Sequence, residues 1–136
     1  MSKIENTIKV AVVGASGVVG RALVEYLMLS EIPVVGLSRR PPADLADAAF
    51  QPLDLNSQTE CEQMAESTLS DATHLVYAAL FEKPGLISGW QEQDQMQTNL
   101  AMLRNLLDPL KGSGTLRHVT LLQGTKAYGA HVEPMK

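Results

Sequence analysis

This sequence predicts an α/β fold with a doubly wound parallel sheet of about five strands in the order 3-2-1-4-5. Three observations predict it. Apolar runs of strand length alternate with helix-period segments, glycines spaced GxxGxxG join the first run to the first helical pattern, and the third run carries a proline, as edge strands do.

Ile8 to Val13 is an almost unbroken, β-branched run ending at Gly14, the pattern of a strand buried on both faces. A helical pattern follows, with Val19, Ala22, Leu23, Tyr26 and Leu27 expected on the core-facing side. Pro33 to Leu37 is the second strand, and Arg40 to Ala49 a short, proline-opened connection. Phe50 to Leu55 is the third strand, and Pro52 puts it at the sheet edge because proline cannot donate to a ladder. Ser57-Gln58-Thr59-Glu60 has the form of a capping box opening the next helix. His74 to Leu80 is the fourth strand, with Tyr77 expected to be half buried. Beyond a loop from Phe81 to Gly89, the longest helix runs from about Trp90 to Leu110, with Met96, Leu100, Leu103, Leu107 and Leu110 as its apolar stripe. Pro109 and the Gly112/Gly114 pair close it, Leu116 to Leu122 is the fifth strand, and Gln123 to Lys136 has no clear periodicity. The right-handed crossover rule turns this alternation into a parallel sheet with helices on both faces.

Residues 1–136 read as one domain, long enough to bury a core. Eleven Lys and Arg against fifteen Asp and Glu, a net charge of −4, give no electrostatic footprint for nucleic acid or an anionic membrane. Cys61 is the only cysteine, which excludes an intramolecular disulfide and a cysteine zinc cluster. His74, His118 and His131 form no spaced ligand set, so no metal is expected. The polar start from Met1 to Thr7 does not read as a signal peptide, and no stretch reaches membrane-span length, so the expected location is cytoplasmic.

The segment Gly14-Ala15-Ser16-Gly17-Val18-Val19-Gly20 carries the strongest functional signal. Gly14 permits a sharp turn at the strand end, Gly17 lets a pyrophosphate approach the backbone, and Gly20 lets the helix sit close to the sheet. The helix start then offers free N–H groups and the positive dipole end to phosphates. Glycines also serve ordinary turns, but this placement between a buried strand and a helix is that of a Rossmann-type dinucleotide loop.

About twenty residues past such a loop, NAD-binding proteins place an acid against the ribose hydroxyls. The corresponding run here is Leu37-Ser38-Arg39-Arg40-Pro41. Two guanidinium groups and a hydroxyl there suit a 2′-phosphate, each charged hydrogen bond contributing about 1.5–3 kcal/mol, which points to NADP(H). The alternative is a solvated basic corner. Asp54 is placed either to accept from the adenine amino group, with Leu55 beside it, or to cap the next helix with Asn56. The expected cofactor-binding set is Gly14, Ser16, Gly17, Val18, Val19 and Gly20 in the loop, and Ser38, Arg39 and Arg40 after the second strand. Asp54 and Leu55 after the third strand and Ala78 and Ala79 at the end of the fourth complete it.

These residues resemble the N-terminal part of the progesterone 5β-reductase and iridoid synthase-like short-chain dehydrogenase/reductases. The matching features are the GASGVVG loop, Ser38-Arg39-Arg40-Pro41, Pro52-Leu53-Asp54-Leu55, Asp71-Ala72-Thr73-His74, Thr98-Asn99-Leu100 with Arg104-Asn105, and Gly124-Thr125-Lys126-Ala127-Tyr128. The resemblance implies NADPH-dependent reduction of an enone or enal C=C bond, a small-molecule carbonyl substrate, and Lys126 as the active-site lysine. It also implies that the C-terminal part of the family fold, with the partner tyrosine, is absent from this chain. Gln123 stands directly before the glycine, whereas some members place a glutamine one residue earlier.

Without the resemblance, little catalysis is legible. Tyr26, Tyr77 and Tyr128 have no lysine four residues on, and Cys61 lies in a helix without a nearby histidine. Three functions compete: the cofactor-binding portion of an enone-reducing enzyme, a non-catalytic NADP(H)-binding or sensing module, and a sugar-nucleotide epimerase. Self-association into a homo-oligomer is also expected, because Met102 and Leu106 add apolar surface outside the long helix's stripe and the absence of the family's C-terminal strands would leave sheet edge and apolar surface open.

Overall fold

A computed structural model of the chain describes residues 7–40, 50–80 and 93–122. Its strands are Val10–Val13 (β1), Val34–Ser38 (β2), Phe50–Pro52 (β3), His74–Tyr77 (β4) and His118–Leu121 (β5). They form one sheet in the order β3-β2-β1-β4-β5, each neighbouring pair parallel. The expected order and edge position of the proline-bearing strand are therefore observed. β1 is buried along its whole length because it lies between β2 and β4 under helices on both faces.

The helix Val18–Leu29 (α1) covers one face, where Val10, Val12, Ala15, Val24, Leu27 and Phe50 pack together. The helices Gln58–Glu66 (α2) and Gln93–Leu107 (α3) cover the other, packed on each other. Cys61, Met102, Leu106 and Leu110 meet the Val13, Leu37, Leu75 and Tyr77 side of the sheet there.

Both long helices are partly rotated from the expected orientation: Leu27 and Leu110 are buried and Leu23, Leu103 and Leu107 pack against the core as expected, but other positions differ. In α1 the buried positions are Gly20, Val24 and Leu27, while Val19 is 59% and Tyr26 65% exposed. The cause is Gly20: a Cβ there would stand 2.2 Å from the Gly14 carbonyl oxygen, so this residue must face the strand end and positions 24 and 27 follow it inward. Tyr26 is therefore not core packing. In α3 the buried line is Met102, Leu106 and Leu110, whereas Met96 and Leu100 are 56% and 47% exposed. Asn105 lies on the same inward side, its Nδ2 donating to the Leu55 carbonyl at 2.9 Å beside the buried 102 and 106. Met102 and Leu106 are thus core residues, and the surface expected from them for self-association does not exist.

Element ends shift for local reasons. β3 stops at Pro52 because the chain enters a turn in which Asp54 Oδ1 accepts from the Asn56 N–H. β4 stops at Tyr77, after which Ala78 and Ala79 pass over Gly14. Asp108–Leu110 continues α3 as a 3₁₀ turn, since Pro109 has no N–H to extend the α ladder. Tyr77 is fully buried rather than half buried. Residues 90–92, the expected start of α3, lie outside the described residues. No helix among the described residues is long and apolar enough to cross a membrane.

Candidate cofactor site

A cleft of about 610 Å³ opens beyond the carboxyl ends of β1, β2 and β4, where the strand order reverses direction. Such a switch point is where open α/β sheets bind ligands. Twelve of the thirteen expected cofactor-binding residues line it: the loop set from Gly14 to Gly20, Ser38, Arg39, Asp54, Leu55, Ala78 and Ala79. The exception is Arg40, which is exposed and is not among the lining residues.

The three loop glycines play different parts. Gly14 has φ +87°, and a Cβ there would meet the backbone of Ala78 and Ala79 at 2.6–2.8 Å. Together with Gly20 it is required by the fold itself. A Cβ on Gly17, by contrast, would find only the Gly14 carbonyl oxygen, at an ordinary 3.5 Å. Among the described residues nothing in the packing demands glycine at that position, so its missing side chain leaves room on the cleft side. Gly17 is also the N-cap of α1, which has no side-chain cap and no acid in its first turn. The first N–H groups of α1 thus face the cleft without an internal side-chain acceptor, as an anion site requires.

At the end of β2, the Ser38 hydroxyl is buried on the cleft lining and makes no hydrogen bond. A buried hydroxyl without a partner costs about 1–3 kcal/mol, so a ligand acceptor or donor at this point would recover that deficit. Arg39 stands next in sequence, exposed, and positions 37–40 hold no carboxylate. Asp54 does not cap α2, whose N-cap is Ser57; its Oδ1 accepts from the Asn56 N–H at 2.9 Å in the turn before the helix, and the residue also lines the cleft.

The capping box forms only in half. Ser57 Oγ accepts from the Glu60 N–H at 3.2 Å, but the Glu60 carboxylate reaches back to the Asp54 N–H rather than to Ser57. This ties α2 to the cleft-lining turn. Met102 also lines the cleft, a place that its position outside the expected apolar stripe does not signal.

Among the described residues, neither tyrosine nor Cys61 lines the cleft, and its one lining carboxylate is Asp54. The Tyr77 phenol is buried without a partner, and burial together with the neighbouring Cys61 pushes it up to about 12. Burial, and then the Asp54, Glu60 and Glu62 carboxylates, push the Cys61 thiol up to about 11, so it is no thiolate at neutral pH. Tyr26 lies exposed on α1. Lys126 and Tyr128 lie outside the described residues. No group of three or more metal-ligating side chains occurs among the described residues.

Comparison with known proteins agrees with this geometry. A 3-oxo-Delta(4,5)-steroid 5-beta-reductase of Arabidopsis thaliana is 34% identical over 125 residues, covering 86% of this chain and 31% of that protein. An (S)-8-oxocitronellyl enol synthase of Catharanthus roseus is 32% identical over 125 residues, covering 86% and 30%. The chain spans about a third of the length of these relatives. Among solved structures, Thermus thermophilus UDP-glucose 4-epimerase in complex with NAD superposes with a TM-score of 0.67 at 21% identity, over 82% of this chain and 36% of that one. A short-chain dehydrogenase/reductase superfamily protein from Agrobacterium tumefaciens with bound NAD gives 0.70 at 19%, over 89% and 34%. The two structures share the fold; the family follows from sequence, whose profile for the NAD dependent epimerase/dehydratase family matches residues 10–136, the glycine loop and the whole described sheet included. The chain belongs to that family.

Proposed function

We propose that the chain is the NADP(H)-binding portion of a short-chain dehydrogenase/reductase-like oxidoreductase that reduces the C=C bond of an enone or enal. The observation that carries the cofactor reading is the end of β2: a buried, unpartnered Ser38 hydroxyl on the cleft lining, followed by Arg39, with no carboxylate to repel a 2′-phosphate. The glycine loop and the uncapped start of α1 suit the pyrophosphate, and Asp54 with Leu55 suits the adenine. When bound, the cofactor supplies the hydride. The relatives named as a steroid 5-beta-reductase and an enol synthase support the substrate class, and resemblance assigns the active-site lysine to Lys126.

A second reading, a non-catalytic NADP(H)-binding or sensing module, is favoured by one observation. Neither described tyrosine is placed as a proton donor at the cleft. Titration of NADPH and NADH tests the cofactor assignment. Arg39→Ala should weaken NADPH by about 10–100-fold, the equivalent of one charged hydrogen bond, and leave NADH unchanged. Arg40→Ala should do less. Equal affinities for the two cofactors in the parent chain would overturn NADP(H). Following NADPH absorbance with a panel of enals and enones then separates the two readings: turnover abolished by Lys126→Ala supports the enzyme, and binding without turnover supports the module.

A further inference from the structure

The cleft wall made by Leu53, Asp54, Leu55 and Asn56 has left the sheet after Pro52, and its backbone hydrogen bonds are mostly local. The Leu53 N–H still reaches the Ser38 carbonyl at 2.9 Å. Beyond that, the Asn56 N–H bonds Asp54 Oδ1, the Ser57 N–H bonds the Asp54 carbonyl at 3.0 Å, and the Asp54 N–H bonds Glu60. These bonds shape the turn, and the buried Leu53 and Leu55 side chains seat it on the core. One long-range side-chain hydrogen bond adds to this: Asn105 Nδ2, fifty residues away on α3, donates to the Leu55 carbonyl at 2.9 Å. Asn105 is half-buried, and its helix is anchored beside it by Met102 and Leu106, 8% and 0% exposed. The donor is therefore held on a rigid element.

We infer that Asn105 is a positioning residue for the adenosine half of the dinucleotide, fixing the Asp54–Asn56 wall against α3 through the Leu55 carbonyl. The inference rests on the cofactor reading above. The phosphate cradle is independent of this tie, because the loop from Gly14 is held by its own bonds, Gly14 N–H and Ala15 N–H to the Leu37 carbonyl at 2.8 and 3.2 Å. Only a side chain that donates can serve at position 105. Alanine leaves the carbonyl without this partner, and aspartate, nearly isosteric, turns an acceptor toward an acceptor.

The test titrates 2′,5′-ADP and inorganic pyrophosphate separately into the parent chain, Asn105→Ala and Asn105→Asp, with urea unfolding of each protein alongside. 2′,5′-ADP should bind the variants about 5–10-fold more weakly, the usual effect of one such hydrogen bond, and pyrophosphate should bind unchanged. Asn105→Asp decides the matter if Asn105→Ala does not fold. Unchanged 2′,5′-ADP affinity in a folded variant, or an equal loss for both probes, would overturn the positioning role. A parent chain that binds pyrophosphate but neither 2′,5′-ADP nor 5′-ADP would overturn the cofactor reading itself, before any variant is measured.

Discussion

The start of α1 has no side-chain cap and no acidic residue in its first turn, whereas the start of α2, beside the same cleft, has both in Ser57 and Glu60. Each helix begins with N–H groups that have no intrahelical acceptor. At α2 the Ser57 hydroxyl accepts from one of them, the Glu60 N–H, and the helix end serves the fold. At α1 they are left to face the cleft over Gly17, which packing does not require to be glycine. The difference separates stability from function: what is left unfinished at α1 is what a ligand can complete.

The comparison breaks most severely at Gly20 and Gly14, where fold and site coincide. Gly20→Ala would drive a Cβ to 2.2 Å from a backbone oxygen that cannot swing aside. A loss of about 3 kcal/mol is expected, at the upper end of overpacking costs, read as a fall in urea midpoint. Gly17→Asp sharpens the contrast. It gives α1 the carboxylate that α2 has, so stability should hold or rise by about 0.3–1 kcal/mol. Its charge and bulk should meanwhile cut NADPH affinity by at least about tenfold. A variant that loses stability and binding together would show that Gly17 serves the fold after all.

The closed start of α2 leaves its own signature at high pH. Cys61 ionises near 9 when exposed and near 11 in the folded chain, raised by burial and by the Asp54, Glu60 and Glu62 carboxylates around α2. A folded-state value above the unfolded one leaves stability intact below about pH 9, and stability is lost as pH rises from there through 11. The loss should be on the order of 2 kcal/mol, and Cys61→Ala should flatten that part of the profile. Tyr77, up to about 12, adds a further decline above pH 10. Equilibrium unfolding at a series of alkaline pH values checks both. Ser57→Ala comes next in size: removing the cap should cost about 1 kcal/mol in a urea titration, against no comparable cap to remove at α1.

What the sequence disclosed follows the same division. Strand order, the edge strand and the glycine loop depend on spacing along one segment, and each is observed. Arg39 and Asp54 lie in the cleft because the ends of parallel strands necessarily converge at the switch point. Helix rotation was only partly legible. Both α1 and α3 carry apolar residues over more than one face, and the inward side carries long-range contacts, Gly20 against Gly14 and Asn105 on Leu55, that spacing does not signal. Tyr26 and Met102 consequently exchanged their expected places, one leaving the core and the other entering it. Lys126 falls among residues 123–136, so the chemistry expected of it has no geometry beside it.

The smallest expected effect lies at the other end of α1, and it isolates the helix's structural end from its binding end. Glu31 has φ +60°, the left-handed region that disfavours a side chain. It holds that conformation because the helix closes in a Schellman motif: the Glu31 N–H bonds the Met28 carbonyl at 3.1 Å and the Ile32 N–H bonds the Leu27 carbonyl at 3.0 Å. Ile32 also joins Leu27 in the α1-side core. Glycine meets the φ requirement without strain, though it gives the unfolded chain more freedom to lose. The carboxylate of Glu31 additionally stands at the negative end of the helix dipole, a further small penalty. Glu31→Gly should therefore raise stability by about 0.5–1 kcal/mol, and Glu31→Lys, which corrects the charge alone, by about 0.3 kcal/mol. Because the exposed Glu31 is not among the residues lining the cleft, NADPH affinity should be unchanged in both variants. A change in affinity that tracks the gain in stability would mean that the uncapped start of α1 is not energetically separate from the rest of the helix, and the contrast with α2 would lose its meaning.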